Sequence, residues 1–87
     1  MIVKFHKNFN KKLKKLSPKF QTKTEITIKI FRQNPHDPVL ENHALHGKMQ
    51  GQRSFSVTGD IRIIFEEYNN YVLVLFLDIG PHPKVYK

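Results

Sequence analysis

The run Tyr71 to Leu77, YVLVLFL, is apolar along its length and built from β-branched, aromatic and leucine side chains. A strand of that composition has no solvent face, so it belongs at the centre of a sheet, paired on both edges and covered on both faces. The remainder of the chain must supply that cover. With 87 residues there is room for one core and not two, which implies one domain spanning residues 1–87. Cysteine is absent, so the fold stands on packing or on a partner rather than on a disulfide or a thiolate zinc site.

Ile2 to Phe5 reads as a short opening strand. Phe9, Leu13 and Leu16 then recur at i, i+4 and i+7 among lysines, the spacing of an amphipathic helix. Ser17-Pro18 ends it and starts another, since Ser caps well and Pro suits the first helical position. Glu25 to Ile30, EITIKI, alternates like a strand, yet the cap and the length favour a helix from Pro18 to Gln33 with Phe20, Ile26, Ile28, Ile30 and Phe31 toward the sheet. Asn34 to Pro38, NPHDP, breaks the chain. Arg53 to Val57 and Ile61 to Phe65 form a hairpin about Thr58-Gly59, and Glu66 to Asn70 turns into the apolar run. A short strand at Val85 and Tyr86 is expected to close the sheet. This order predicts an α+β fold: an N-terminal strand and a two-helix hairpin packed on one face of a mainly antiparallel sheet of four to five strands.

The formal charge of +8 is unevenly spread. Residues 1–32 carry nine lysines and one arginine against Glu25 alone, and the rest of the chain sums to −1. Lys7, Lys11, Lys12, Lys14 and Lys15 make one helix face basic. Beside a merely solvated face, that implies docking on RNA, the ribosome or an acidic protein. No apolar run reaches the roughly 18 residues of a membrane span, and MIVKFHKNF lacks a signal-peptide core. The cytoplasm is the expected setting, with no membrane partner.

Polar groups cluster where strands end: His43 and His46 before the hairpin, Asp60 and Arg62 at its return, His82 after the central strand. Cutting an RNA phosphodiester without a metal needs a base for the 2′-hydroxyl, cations for the charged phosphorane and an acid for the leaving 5′-oxygen. Histidine suits the proton transfers because its unperturbed pKa is about 6.5, and arginine holds two phosphate oxygens at once. His43 and His82 are the proton-transfer candidates, with His82 fixed between Pro81 and Pro83. Arg53 and Arg62, on neighbouring strands, would face one phosphate unless they serve as salt-bridging side chains. Asp60 either orients a histidine or begins its strand as a turn residue. Tyr86 either stacks on a base or packs, and His46 and Lys48 are further substrate-side candidates. His43, His46, Asp60 and His82 also offer a metal-ligand set, although their spacing matches no closed zinc pattern. No phosphate-cradling glycine loop is present and no cofactor is expected.

The pattern LxGxxxGxRSFxVTGDxRIIF from Leu45 to Phe65, followed by LDIGxHxxVYK from Leu77 to Lys87, resembles the RelE/ParE superfamily of toxins from type II toxin–antitoxin modules, and within it the histidine-bearing RelE/YafQ branch. The resemblance spans the whole chain. It implies a RelE-like fold, a ribosome-dependent mRNA endoribonuclease and silencing by a cognate antitoxin. By residue, it implies catalytic roles for His43, Asp60, His82 and Arg62, and substrate contacts for Arg53, Lys48, His46 and Tyr86. Ser56 departs from it, standing where some members have a histidine, as do Ile61, where an aromatic is usual, and the prolines beside His82. A ParE-like inhibitor of DNA gyrase, or a non-catalytic member that binds only antitoxin or RNA, is the alternative the resemblance allows.

Overall fold

The N-terminal strand β1 (Ile2–Phe5) runs directly into a helical hairpin, α1 (Lys7–Lys15) and α2 (Pro18–Gln33). The computed structural model describes residues 1–85. His6 caps α1, its Nδ1 accepting the Asn8 N–H at 3.0 Å, and Lys12, Lys14 and Lys15 occupy the last turn, where the helix dipole favours cations. Ser17 caps α2 with Pro18 in the first turn, as the sequence implies.

The alternation of EITIKI is overridden. Two threonines sit buried inside α2, and each hydroxyl donates back to a carbonyl four residues earlier: Thr24 to Phe20 O (2.7 Å) and Thr27 to Lys23 O (2.8 Å). Those bonds satisfy the hydroxyls in an apolar setting, so Thr24, Thr27 and Phe31 form the inward stripe. Phe20 and Ile26, expected on that stripe, are instead exposed, Ile26 to half its area.

Two 3-10 turns, at Pro38–Leu40 and Gly47–Met49, flank a two-residue edge strand β2 (His43–Ala44). Strands β3 (Arg53–Ser56), β4 (Ile61–Tyr68) and β5 (Leu73–Pro81) follow. The five-stranded sheet has the order β1-β5-β4-β3-β2, antiparallel throughout except for the parallel β1–β5 pair. The apolar run is thus near the middle, but β5 starts two residues later than expected and continues to Pro81. β4 likewise extends to Tyr68, and the chain reverses at Asn69, Asn70 and Tyr71, all with positive φ. The expected strand at Val85 is a helical turn, α3 (His82–Val85), and Tyr86 lies outside the described residues. Gly80 explains part of this: a Cβ there would meet Val85 Cγ1 at 3.3 Å, so a bare backbone lets α3 settle against β5.

Phe9, Phe31, Phe55, Phe65 and Phe76 are all fully buried and form one aromatic core with Leu40, Ile63 and Val74. Half-buried Asn42 ties the loops to it: its Nδ2 donates to Tyr71 Oη (3.0 Å) and Pro35 O (2.9 Å), and its Oδ1 accepts from Arg53 Nε (3.0 Å). Asn42→Ala leaves those groups without their partner, so a loss of about 1 to 3 kcal/mol is expected, read as a lower urea midpoint at unchanged slope. Among the described residues no helix is long and apolar enough to cross a membrane.

Candidate active site

The face of the sheet opposite the phenylalanine core carries most of the reactive side chains. Cross-strand pairing puts His43, Ser54, Ile64 and Asp78 in one row and Ser56, Arg62 and Gly80 in the next. One residue beyond, Ile61 pairs with Pro81, which brings Asp60 and His82 to the same end. The His82 N–H donates to the Asp60 carbonyl at 2.9 Å. Both residues are exposed, as are His43, His46 and Lys48.

The hairpin that delivers Asp60 and Arg62 is shaped by Thr58, whose Oγ1 accepts the N–H groups of Asp60 (3.2 Å) and Ile61 (2.9 Å). The half-buried Arg62 guanidinium donates through Nη1 to the Thr58 carbonyl (2.7 Å), and its other N–H groups have no partner among the described residues. It is therefore a fixed cation with spare donors.

Arg53 does not join it. Arg53 pairs with Phe65 and Arg62 with Ser56, so the two side chains leave opposite faces of the sheet. Arg53 points to the core side and is engaged by Asn42. The expectation that both arginines face one phosphate fails for that reason.

His43 lies across the sheet from His82. Three strand spacings of ~4.8 Å and four residues of ~3.4 Å put their backbones roughly 20 Å apart, with Arg62 between them. The His43 Nδ1 donates to the Glu41 carbonyl at 2.8 Å, because a carbonyl can only accept; Nε2 is then the outward acceptor. Glu41 was not foreseen from the sequence. It adopts a left-handed conformation (φ 51°), and its Oε1 accepts a long bond from Ser56 Oγ (3.4 Å), which places a carboxylate near Arg62's row. Its one sequence signal is an acid two residues before a candidate histidine.

His46 precedes the Gly47–Met49 turn and makes no side-chain capping bond, and Lys48 extends from the same turn; both sit beyond β2, away from the His82 end. Among the described residues no three His, Asp or Glu side chains converge to hold a metal, so the four-ligand arrangement is not formed. At the far end of β4, the Tyr68 hydroxyl donates to Glu66 Oε1 (2.7 Å), and that bond holds the phenol above its ordinary pKa; it plays no part in the cluster.

A family model described as a bacterial toxin of type II toxin–antitoxin systems, YafQ, matches residues 1–87. The chain belongs to the YafQ toxin family. No curated protein matches its sequence. Among solved structures, YafQ from E. coli strain BL21(DE3) is 19% identical, with 98% of this chain and 97% of that one covered at a TM-score of 0.81. E. coli YafQ in its complex with DinJ is 24% identical over 98% and 97% of the two chains, at a TM-score of 0.69. The archaeal RelE–RelB complex from Pyrococcus horikoshii OT3 is 21% identical over 92% of each chain, at a TM-score of 0.73. At these identities the likeness is one of fold, and it is the α+β, RelE-like architecture expected from the strand and helix order. The YafQ-family chain is accordingly a toxin of a type II toxin–antitoxin system.

Proposed function

We propose that this toxin is an endoribonuclease that cuts mRNA on the ribosome and is held silent by a cognate antitoxin. The observation that carries the reading is the convergence of Asp60, Arg62 and His82 at one sheet end, joined by the His82–Asp60 backbone bond. Arg62 binds the scissile phosphate with its spare donors. His43, with Nδ1 committed to the Glu41 carbonyl, offers Nε2 to the 2′-hydroxyl proton, and His82 protonates the departing 5′-oxygen. Asp60 positions His82. The exposed Lys7, Lys11, Lys12, Lys14 and Lys15 of α1 supply a basic face for ribosomal RNA. Antitoxin pairing is supported by the complex in which the similar E. coli YafQ is held by DinJ.

The test is a cleavage assay with purified toxin, translating ribosomes and end-labelled mRNA. Cuts inside codons, bearing 2′,3′-cyclic phosphate ends and insensitive to EDTA, are expected. Intact transcripts together with gyrase trapped on DNA would replace this reading with gyrase inhibition, and normal growth on induced expression with antitoxin still bound would leave a non-catalytic binder.

A further inference from the structure

Beside the candidate active site lies a cleft of about 280 Å³ that none of the proposed catalytic residues lines. Ile64 and Leu77 from the sheet and Met49 from the β2–β3 connection supply its apolar walls. His6, Asn8, Gln52 and Asp78 are its polar members. Ile64 is two residues along β4 from Arg62 on the same face, so the cleft opens roughly 7 Å from the proposed phosphate cation.

The polar groups are unequally committed. Asp78 Oδ1 accepts from Lys12 Nζ (2.8 Å) and from the Ile79 N–H (2.9 Å), while Oδ2 has no partner among the described residues. His6 Nδ1 is taken by the Asn8 N–H, which leaves only its Nε2 edge to face a ligand. The Asn8 and Gln52 side-chain amides make no bond within the described residues, so each offers a donor pair and an acceptor. A flat ring fits apolar walls that include a thioether, and polar atoms at one rim read the ring's edge.

We propose that this cleft binds a nucleobase of the RNA substrate next to the scissile phosphate, and that Asp78 Oδ2 selects bases carrying an exocyclic amino group. This occupant rests on the RNA-cleaving reading. Adenine, guanine and cytosine each present an amine that a carboxylate oxygen accepts; uracil presents a carbonyl there, and oxygen facing carboxylate oxygen is repulsive. Asp78 is thus a specificity-determining residue, and Lys12 contributes charge without base selection.

The experiment titrates isotope-labelled toxin with AMP, GMP, CMP and UMP, following backbone and side-chain amide resonances. The amine-bearing nucleotides should shift the Asn8, Gln52, Ile64 and Asp78 signals, with UMP binding about tenfold more weakly. Asp78→Asn replaces an acceptor with a group that also donates, so UMP should draw level or lead. Lys12→Met should weaken all four nucleotides together and keep their order. Equal binding of UMP, shifts confined to other residues, or an unchanged order in Asp78→Asn would overturn the proposal. Selective binding without mRNA cleavage would uphold the cleft and remove the ribonuclease reading. Cleavage at the same codons by Asp78→Asn, with a silent titration, would do the reverse.

Discussion

His82→Ala is expected to lower ribosome-dependent mRNA cleavage by about 10²- to 10⁴-fold, the range for losing a positioned proton-transfer group. The side chain is exposed, and the backbone bond from its own N–H to the Asp60 carbonyl survives the substitution. The thermal midpoint should therefore stay within about 2 to 4 °C, since surface changes of this kind alter stability by roughly 0.5 kcal/mol or less. Two measurements decide the matter: product formation per toxin in the cleavage assay, and growth of cells in which the variant is induced. A variant that still arrests growth and cuts at the parent rate would take His82 out of the reaction and leave Arg62 and His43 to be explained otherwise.

The second large effect belongs to the core. Phe31 is fully buried and stacks on Phe55 with ring centroids 4.6 Å apart, while Phe65, Phe76 and Tyr71 meet it edge-on at 5.1, 5.6 and 6.1 Å. It is the one α2 residue that touches rings from β3, β4 and β5 together. Phe31→Ala should cost about 3 to 5 kcal/mol. Against a total of about 5 to 15 kcal/mol for a small protein, that leaves the sheet and helical hairpin barely associated, with a fall in thermal midpoint on the order of 20 °C. Phe20→Ala is the control. Phe20 lies on the same helix but is 37% exposed, so its loss should change stability by no more than about 1 kcal/mol. If the two variants melted alike, the inward stripe through Thr24, Thr27 and Phe31 would be wrong.

The contrast between those phenylalanines shows where local pattern is informative and where it is not. Both helices were legible because their ends carry their own chemistry: Ser17 and Pro18 terminate one and begin the other without reference to the rest of the chain. The face α2 buries was not legible, since it is selected by what the sheet offers. Threonines can occupy it only because their hydroxyls find carbonyls one turn back. The separation of Arg53 from Arg62 was readable in principle. The three-residue turn Thr58–Asp60 pairs Ser56 with Arg62, and Arg53 is an odd number of residues from Ser56, hence on the other face. Of the candidate site, the placement of some members at one sheet end was legible and that of others was not. Asp60, Arg62 and His82 announce themselves as polar groups at strand ends, whereas Glu41, Asn42 and Asp78 acquire meaning only from distant neighbours, Ser56, Arg53 with Tyr71, and Lys12 respectively.

The parallel pairing of β1 with β5 is the long-range contact of the sheet. Ile2 meets Leu73 and Phe5 meets Phe76, so β1 pairs with a strand about 70 residues further along the chain. Chain closure over such a separation is slow and comes late. Until then the five-stranded sheet lacks its β1 edge, whereas the β4–β5 pairing that brings Asp60 and His82 to one end forms without it. The sheet therefore closes in two stages: the β3–β4–β5 meander forms through short connections, and the β1 edge is added by a long-range contact that also fixes where the helical hairpin leaves the sheet.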